Sequence, residues 1–266
     1  LRDGKNRITF PGSVPLLIEG APELPLIAKS IVIPNLAHME LKVIATEFTD
    51  YSVDNIAPSK GNLTRNIDPE TISYNYGISY SEDSFFPKDI AYLRDPYIMR
   101  SVRGQTIVFQ PIQYNPIKKI LRVFSSIQID VKENGISDIN PLTRLPKNVN
   151  SNEYEQIYQD HFLNYTNTDR YEPLSEQGPM LIISYGDFMD EMQPFVDWKN
   201  YKGLPTEMVD IADIGGVSDM EQYIEDAYYN DWITYVLLVG DISQIETIRR
   251  SDGAGSSSPS DNSLSF

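Results

Sequence analysis

The sequence contains no cysteine and only two histidines, His38 and His161. The absence of cysteine excludes disulfides, thiolate zinc sites and a thiol nucleophile within these 266 residues. It does not fix a compartment, because secreted bacterial proteins also do without disulfides. Long apolar runs are missing too. None approaches the roughly 20 residues of a membrane-spanning helix, so no transmembrane segment is expected. Positive charge is scarce in one half only. Residues 171–266 hold 18 Asp and Glu against 4 Lys and Arg, whereas the first 170 hold 20 against 18. The net charge of −16 therefore falls almost wholly on the second half. Such a half cannot replace the counterions around phosphates, which argues against nucleic acid as a partner. It fits either solubility or an acidic pocket that attracts basic ligands. A glycine-rich phosphate cradle is also lacking, since Ser184-Tyr185-Gly186-Asp187 has a single glycine. That disfavours a nucleotide-binding or receiver-like protein. The sequence begins at Leu1 rather than Met, and the expectation is that an N-terminal piece such as a signal peptide has been removed.

What is present is organised around Met180 to Asp241. Apolar runs at Met180–Tyr185 and Ile233–Val239, with a short strand pattern at Pro205–Ile211 between them, alternate with helical patterns over Asp187–Tyr201 and Val217–Asn230. Unbroken apolar runs of this length suit strands buried on both faces, so the spacing predicts a βαβαβ unit with a parallel sheet. In the first helix Phe188, Met192, Phe195 and Trp198 form the stripe expected to face the sheet. Ser218 is expected to cap the second, with Glu221 completing a capping box. Sites in such sheets form beyond the carboxyl ends of the strands, which puts Asp187 and Asp241 at the edge of interest. The sequence ends at Phe266, soon after that edge, and the expectation is that the residues completing a site lie beyond it.

Residues 1–135 read as all-β. Met39–Phe48 nearly alternates, and Gln105–Tyr114 and Lys119–Val131 form the clearest strand pair, joined by the turn at Tyr114-Asn115-Pro116-Ile117. Residues 136–178 lack apolar periodicity apart from a short amphipathic stretch at Glu153–Leu163, and read as a linker. The fold expected is thus two-domain α+β, with an antiparallel β-sandwich-like domain, the linker, and a truncated parallel α/β subdomain over 179–266.

Phe195-Val-Asp-Trp-Lys-Asn200, Gly203-Leu204, Thr206-Glu207 and Tyr235-Val-Leu-Leu-Val-Gly-Asp241 stand in an order that resembles the start of the catalytic domain of gingipain-type cysteine peptidases. Gly20-x-Pro-x-Leu-Pro25, Ile56-Ala-Pro-Ser59 and Phe109-x-Pro-x-Gln-Tyr-Asn-Pro116 are similar to that family's propeptide domain. The resemblance covers nearly the whole chain. It implies a secreted or surface-held bacterial protease precursor, in which a β-rich prodomain confers latency and aids folding of a caspase-like peptidase domain. The partners implied are the remainder of that catalytic domain and protein or peptide substrates. No cofactor is needed for the chemistry, and calcium enters by resemblance alone. Family enzymes use a Cys nucleophile with a His base, so no catalytic residue is assigned in this chain. A non-catalytic inhibitory, chaperone or adhesion module, and the sortase-like member of type IX secretion, are the rival readings.

Four groups of residues stand out. Arg170-Tyr171 looks like the junction at which the propeptide is cut from the mature enzyme. Arg94, Arg100 and Arg103 surround Pro96, and either present a basic side chain to an acidic specificity pocket or decorate a sheet edge. Asp187 and Asp241 are read first as caps on backbone amides, with calcium or substrate backbone as alternatives. Asp261 is equally ambiguous, and the two histidines are read as structural.

Overall fold

The structure is a computed structural model that describes residues 4–145, 152–166, 178–245, 248–251 and 257–260. Its chain divides into two compact units. Leu1–Tyr97, Arg103–Pro141 and Phe162–Asn164 make the first; Ile98–Val102, Leu142–His161 and Tyr165–Phe266 make the second. A five-residue strap, 98–102, and most of residues 136–178 group with the C-terminal part.

The strands up to the linker are β1 (Val14–Pro15), β2 (Pro25–Val32), β3 (Ala37–Ser52), β4 (Ala91–Leu93), β5 (Tyr97–Met99), β6 (Val102–Phe109), β7 (Ile112–Asn115) and β8 (Ile120–Ile136). In the first unit one sheet runs β1-β2-β6-β4 and the other β3-β8-β7, all antiparallel. The expected pair 105–114 and 119–131 holds only in its second part. β6 joins β2 and β4, and of the two strands in 102–115 it is β7 that pairs with β8. The break falls at Gln110-Pro111, where proline has no N–H to continue a ladder. Residues Leu24, Ile56, Ile112, Tyr114 and Leu121 form the buried apolar cluster. Away from it the β3–β8 ribbon loses its cover. Ile44 is 58% exposed and Phe48 47%, and three register shifts interrupt the pairing.

Much of this unit's interior is polar. Asn115 is 1% exposed, donates to Asp83 at 2.9 Å and accepts from the Lys118 N–H at 2.9 Å, which closes the β7–β8 turn. Gln113 Nε2 donates to the Pro87 carbonyl at 2.7 Å. The two acceptors, Asp83 and Pro87, lie 32 and 26 residues away in sequence.

The second unit contains α1 (Asn152–His161), β9 (Met180–Ser184), α2 (Met189–Tyr201), β10 (Thr206–Asp210), α3 (Ile211–Ile214), α4 (Val217–Asp231) and β11 (Tyr235–Val239). Strands β12 (Ile248–Ser251) and β13 (Ser257–Ser260) form a separate hairpin. β9 lies between β10 and β11 and pairs with both in parallel. The predicted βαβαβ order is present, each strand ending within a residue or two of its apolar run. Leu181 and Ile183 face α4, where Met220, Ile224, Ala227 and Tyr228 complete the core. Ile182 points to the opposite face and is 0% exposed.

Two local expectations need correction. The stripe on α2 does not bury Trp198, which is 47% exposed, nor Phe188, which lies in the 3₁₀ turn before the helix; Val196 is the buried position. Trp198 is covered instead by the ammonium groups of Lys199 and Lys202, at 5.2 and 4.9 Å from its ring. On α4 the N-cap is Gly216, two residues before Ser218, and the Asp219 carboxylate accepts from the Gly216 N–H at 3.0 Å. Asp219 therefore closes the first turn in place of Glu221.

Candidate functional site

The order β10-β9-β11 means that the chain leaves β9 to one side and later crosses to the other. In open α/β sheets the crevice outside the strand ends at such a reversal is where ligands bind. Here it lies between the loops after β9 and β11. Ser184, at the end of β9, is 0% exposed and its hydroxyl donates to the Tyr185 carbonyl at 3.0 Å. The Tyr185 N–H donates to the Val239 carbonyl at 3.0 Å, which locks the two loops together at their roots.

Three carboxylates rim this edge. Asp210 ends β10, and its Oδ1 accepts from the Ala212 N–H at 3.0 Å, capping α3. Its other oxygen lies 2.5 Å from where a Cβ on Gly186 would be, so a side chain there would have to displace the Asp210 carboxylate. Asp241 Oδ1 accepts from the N–H and the hydroxyl of Ser243 at 2.7 and 2.6 Å. Those hydrogen bonds hold the Asp241 carboxyl below its usual range. The Asp241 N–H is taken by Gln244 Oε1 at 2.8 Å. Asp187 is exposed in the 3₁₀ turn that precedes α2.

These carboxylates shape turns. Among the described residues no three His, Cys, Asp or Glu side chains converge as a metal-ligand group. Asp261 lies outside the described residues, as do Arg170 and Tyr171. The edge thus carries the carboxylates of Asp187, Asp210 and Asp241, with neither Cys nor His among its described residues.

The three arginines have distinct surroundings. Arg94 is exposed and contributes only backbone groups, its carbonyl accepting from Gln105 Nε2 at 2.8 Å. Arg103 is 0% exposed. Its guanidinium donates to the carbonyls of Asn140, Pro34, Ala37 and Ile139 at 2.7–3.0 Å, and burial lowers its pKa. Arg100, in the strap, is 8% exposed and sits against aromatic rings within the second unit. Of the three, Arg100 and Arg103 are buried and Arg94 is exposed. Sequence reasoning gave no warning of this, because the carbonyls that hold Arg103 come from segments over 30 residues away.

Comparison with known proteins decides the affiliation. A family model of the C25 propeptide matches residues 3–171, and a model of peptidase family C25 matches residues 174–266. The chain belongs to the C25 peptidase family. It joins a gingipain-type propeptide to the start of a C25 peptidase domain. It is similar to Gingipain R2 of Porphyromonas gingivalis, with 39% identity across 89% of this chain and 33% of that relative. Lys-gingipain of the same organism is 25% identical over 90% of this chain and 15% of its own length. The chain thus spans about a third or less of these curated relatives. Among solved structures, a complex of the Porphyromonas gingivalis RgpB pro- and mature domains matches at 38% identity and a TM-score of 0.53. That match covers 59% of this chain and 80% of the other.

Proposed function

We propose that this chain is the front part of a latent, exported, gingipain-like cysteine endopeptidase. Its propeptide assists folding of the peptidase domain and holds it inactive until the chain is cut at Arg170–Tyr171. The observation that supports this reading is the ordered pair of family matches, propeptide over 3–171 and peptidase from 174, with the Arg170-Tyr171 dipeptide at the seam. A caspase-like domain would suit the β10-β9-β11 sheet. The Cys and His of the reaction would have to come from outside these residues, since no Cys is present. The Cys thiolate would attack the scissile carbonyl, with imidazole first taking the thiol proton and then protonating the leaving amine. Substrates would be proteins or peptides, and Arg94 is the exposed basic side chain left to approach an acidic specificity pocket. Calcium belongs to the proposal by family resemblance alone, with Asp187, Asp241 and Asp261 as its candidate residues.

The test is to purify the precursor, let it mature, and combine N-terminal sequencing with peptidase assays on Arg and Lys substrates. A new terminus at Tyr171 that appears together with activity is expected. Full activity in the uncut chain would sink the latency reading, and a mature form beginning elsewhere would sink the assigned junction.

A further inference from the structure

The first unit contains a cavity of about 170 Å³ between the start of β3 and the chain that leaves β4. Hydrogen bonds fix its walls. The Arg103 guanidinium donates to the carbonyls of Ala37 and Ile139, at 2.7 and 3.0 Å, and both residues are in the lining. Asn140 Nδ2 donates to the carbonyl of Pro96, a third lining residue, at 2.8 Å. The space is therefore preformed, as small-ligand sites usually are.

Its polar groups are unmet. Gln105 lines the cavity and is 6% exposed. Its Nε2 donates to the Arg94 carbonyl at 2.8 Å. A carbonyl accepts only from the nitrogen side of the amide, so the orientation of the amide is fixed. That leaves Gln105 Oε1 buried with no hydrogen-bond partner. A buried acceptor in that state costs stability until a donor reaches it. His38, Arg94 and Asp95 line the same cavity from its exposed side. Among the described residues none of these three side chains makes a hydrogen bond or an ion pair. Arg94 and Asp95 are neighbours of opposite charge, yet they do not pair with each other. The Ser137 hydroxyl, by contrast, is engaged with the backbone of Ile139.

An acceptor, an anion and a cation around one small space call for a ligand with a donating cation and an anion close beside it. An α-amino acid carries both on one carbon. A peptide terminus carries only one of them. By the roughly 30 Å³ that a water takes up in the liquid, the cavity holds about five or six non-hydrogen atoms, the size of glycine or alanine. We propose that this cavity binds a small free α-amino acid such as alanine. Its ammonium meets Asp95 and Gln105 Oε1, its carboxylate meets Arg94 and His38, and its side chain lies against Leu93 and Ile139. The site does not rest on the precursor reading. A guanidinium engaged in this way is not free for a specificity pocket, so the amino acid and such a pocket would compete for Arg94.

The test uses the full precursor and L-alanine, whose methyl signal is followed by saturation-transfer NMR over a titration. A dissociation constant on the order of 1 mM is expected, within the ceiling for so few atoms. N-acetyl-L-alanine has lost the ammonium and L-alaninamide the carboxylate. Each should bind at least about 10-fold more weakly. Arg94→Ala and Asp95→Asn should each weaken alanine binding by about the same factor, and Gln105→Leu should do so through the lost acceptor. Arg65→Ala, at an exposed arginine outside the lining, should change nothing. Circular dichroism melts identify the variants that fold, and either Arg94→Ala or Asp95→Asn suffices to decide, both being at exposed positions. Absence of saturable transfer from both alanine and glycine would overturn the site. Unchanged affinity in a folded Arg94→Ala or Asp95→Asn variant would overturn it too, since the amino acid would then be bound elsewhere. Blocked ligands that bind as well as alanine would overturn the assignment of a zwitterion.

Discussion

The two units hold their interiors by different means. The parallel sheet is an apolar slab, with Leu181, Ile182 and Ile183 all at or below 3% exposure and α4 packed over one face. The antiparallel unit owes much of its order to buried polar side chains that reach distant acceptors, carbonyls for Arg103 and Gln113 and the Asp83 carboxylate for Asn115. In the slab a residue's neighbours follow from the period of its own strand or helix. In the antiparallel unit they come from loops 25 to 69 residues away. Burial of apolar area tolerates small shifts, whereas a buried guanidinium with four carbonyls around it does not.

The largest expected effect comes from removing that guanidinium. Arg103→Ala leaves the carbonyls of Asn140, Pro34, Ala37 and Ile139 without their donor and opens a void, a loss of about 4 kcal/mol. Arg103→Lys should recover only part of it, because one ammonium cannot reach the four acceptors in a plane. Urea melts followed by circular dichroism measure both. If Arg103→Ala costs less than about 1 kcal/mol, the contrast between the units fails, since solvent would then be replacing the side chain.

A smaller loss is expected in the slab. Ile182→Ala should cost about 3 kcal/mol through lost burial and a residual cavity, and Ile182→Val about 1 kcal/mol. Both tryptophans, Trp198 and Trp232, belong to the second unit, so their fluorescence reports that unit directly. Graded losses in proportion to the volume removed would sharpen the comparison. An all-or-none response, with Ile182→Val as harmful as Ile182→Ala, would break it.

What could be read from the sequence follows the same division. The order and near-bounds of β9, α2, β10, α4 and β11 were legible because unbroken apolar runs separated by helical spacing admit few other arrangements. Finer features slipped by a residue or two. Trp198 turned outward because two lysines cover its ring, and the cap moved from Ser218 to Gly216 because Asp219 reaches back. In the first unit alternation located β3 and β8 but could not assign sheets, and the split at Pro111 was legible only as a missing donor. The roles of Arg100 and Arg103 were not legible, since no local pattern distinguishes an arginine that meets rings or carbonyls from one in water. At the strand edge the sequence marked Asp187 and Asp241, and the capping reading agrees with the turns that Asp241 closes. It missed Asp210, whose only signal was its place at the end of a short strand pattern.

Acid should produce the smallest effect and should again separate the units. Three carboxyls of the first unit are held below their usual range: Asp50 by Arg122, Asp54 by Lys119, and Asp83 by Asn115 and Lys118. In the second unit Asp241 is lowered through Ser243. A depressed carboxyl contributes stability above its unfolded value, about 3.9 for Asp, and loses it as pH falls through the lower folded value. All four are at the surface, where such pairs are worth little, so stability should be flat from neutrality to about pH 4 and decline only below it. The antiparallel unit has three such groups and the slab one, so the decline should show first in the β-sheet dichroism and later in tryptophan fluorescence. Asp50→Asn should shift that decline, because it removes the partner of a guanidinium that also rests on the rings of Phe48 and Phe85 at 4.0 and 4.1 Å. If fluorescence falls first, the acid-sensitive contacts lie instead in the slab, and the polar interior of the antiparallel unit is the more robust of the two.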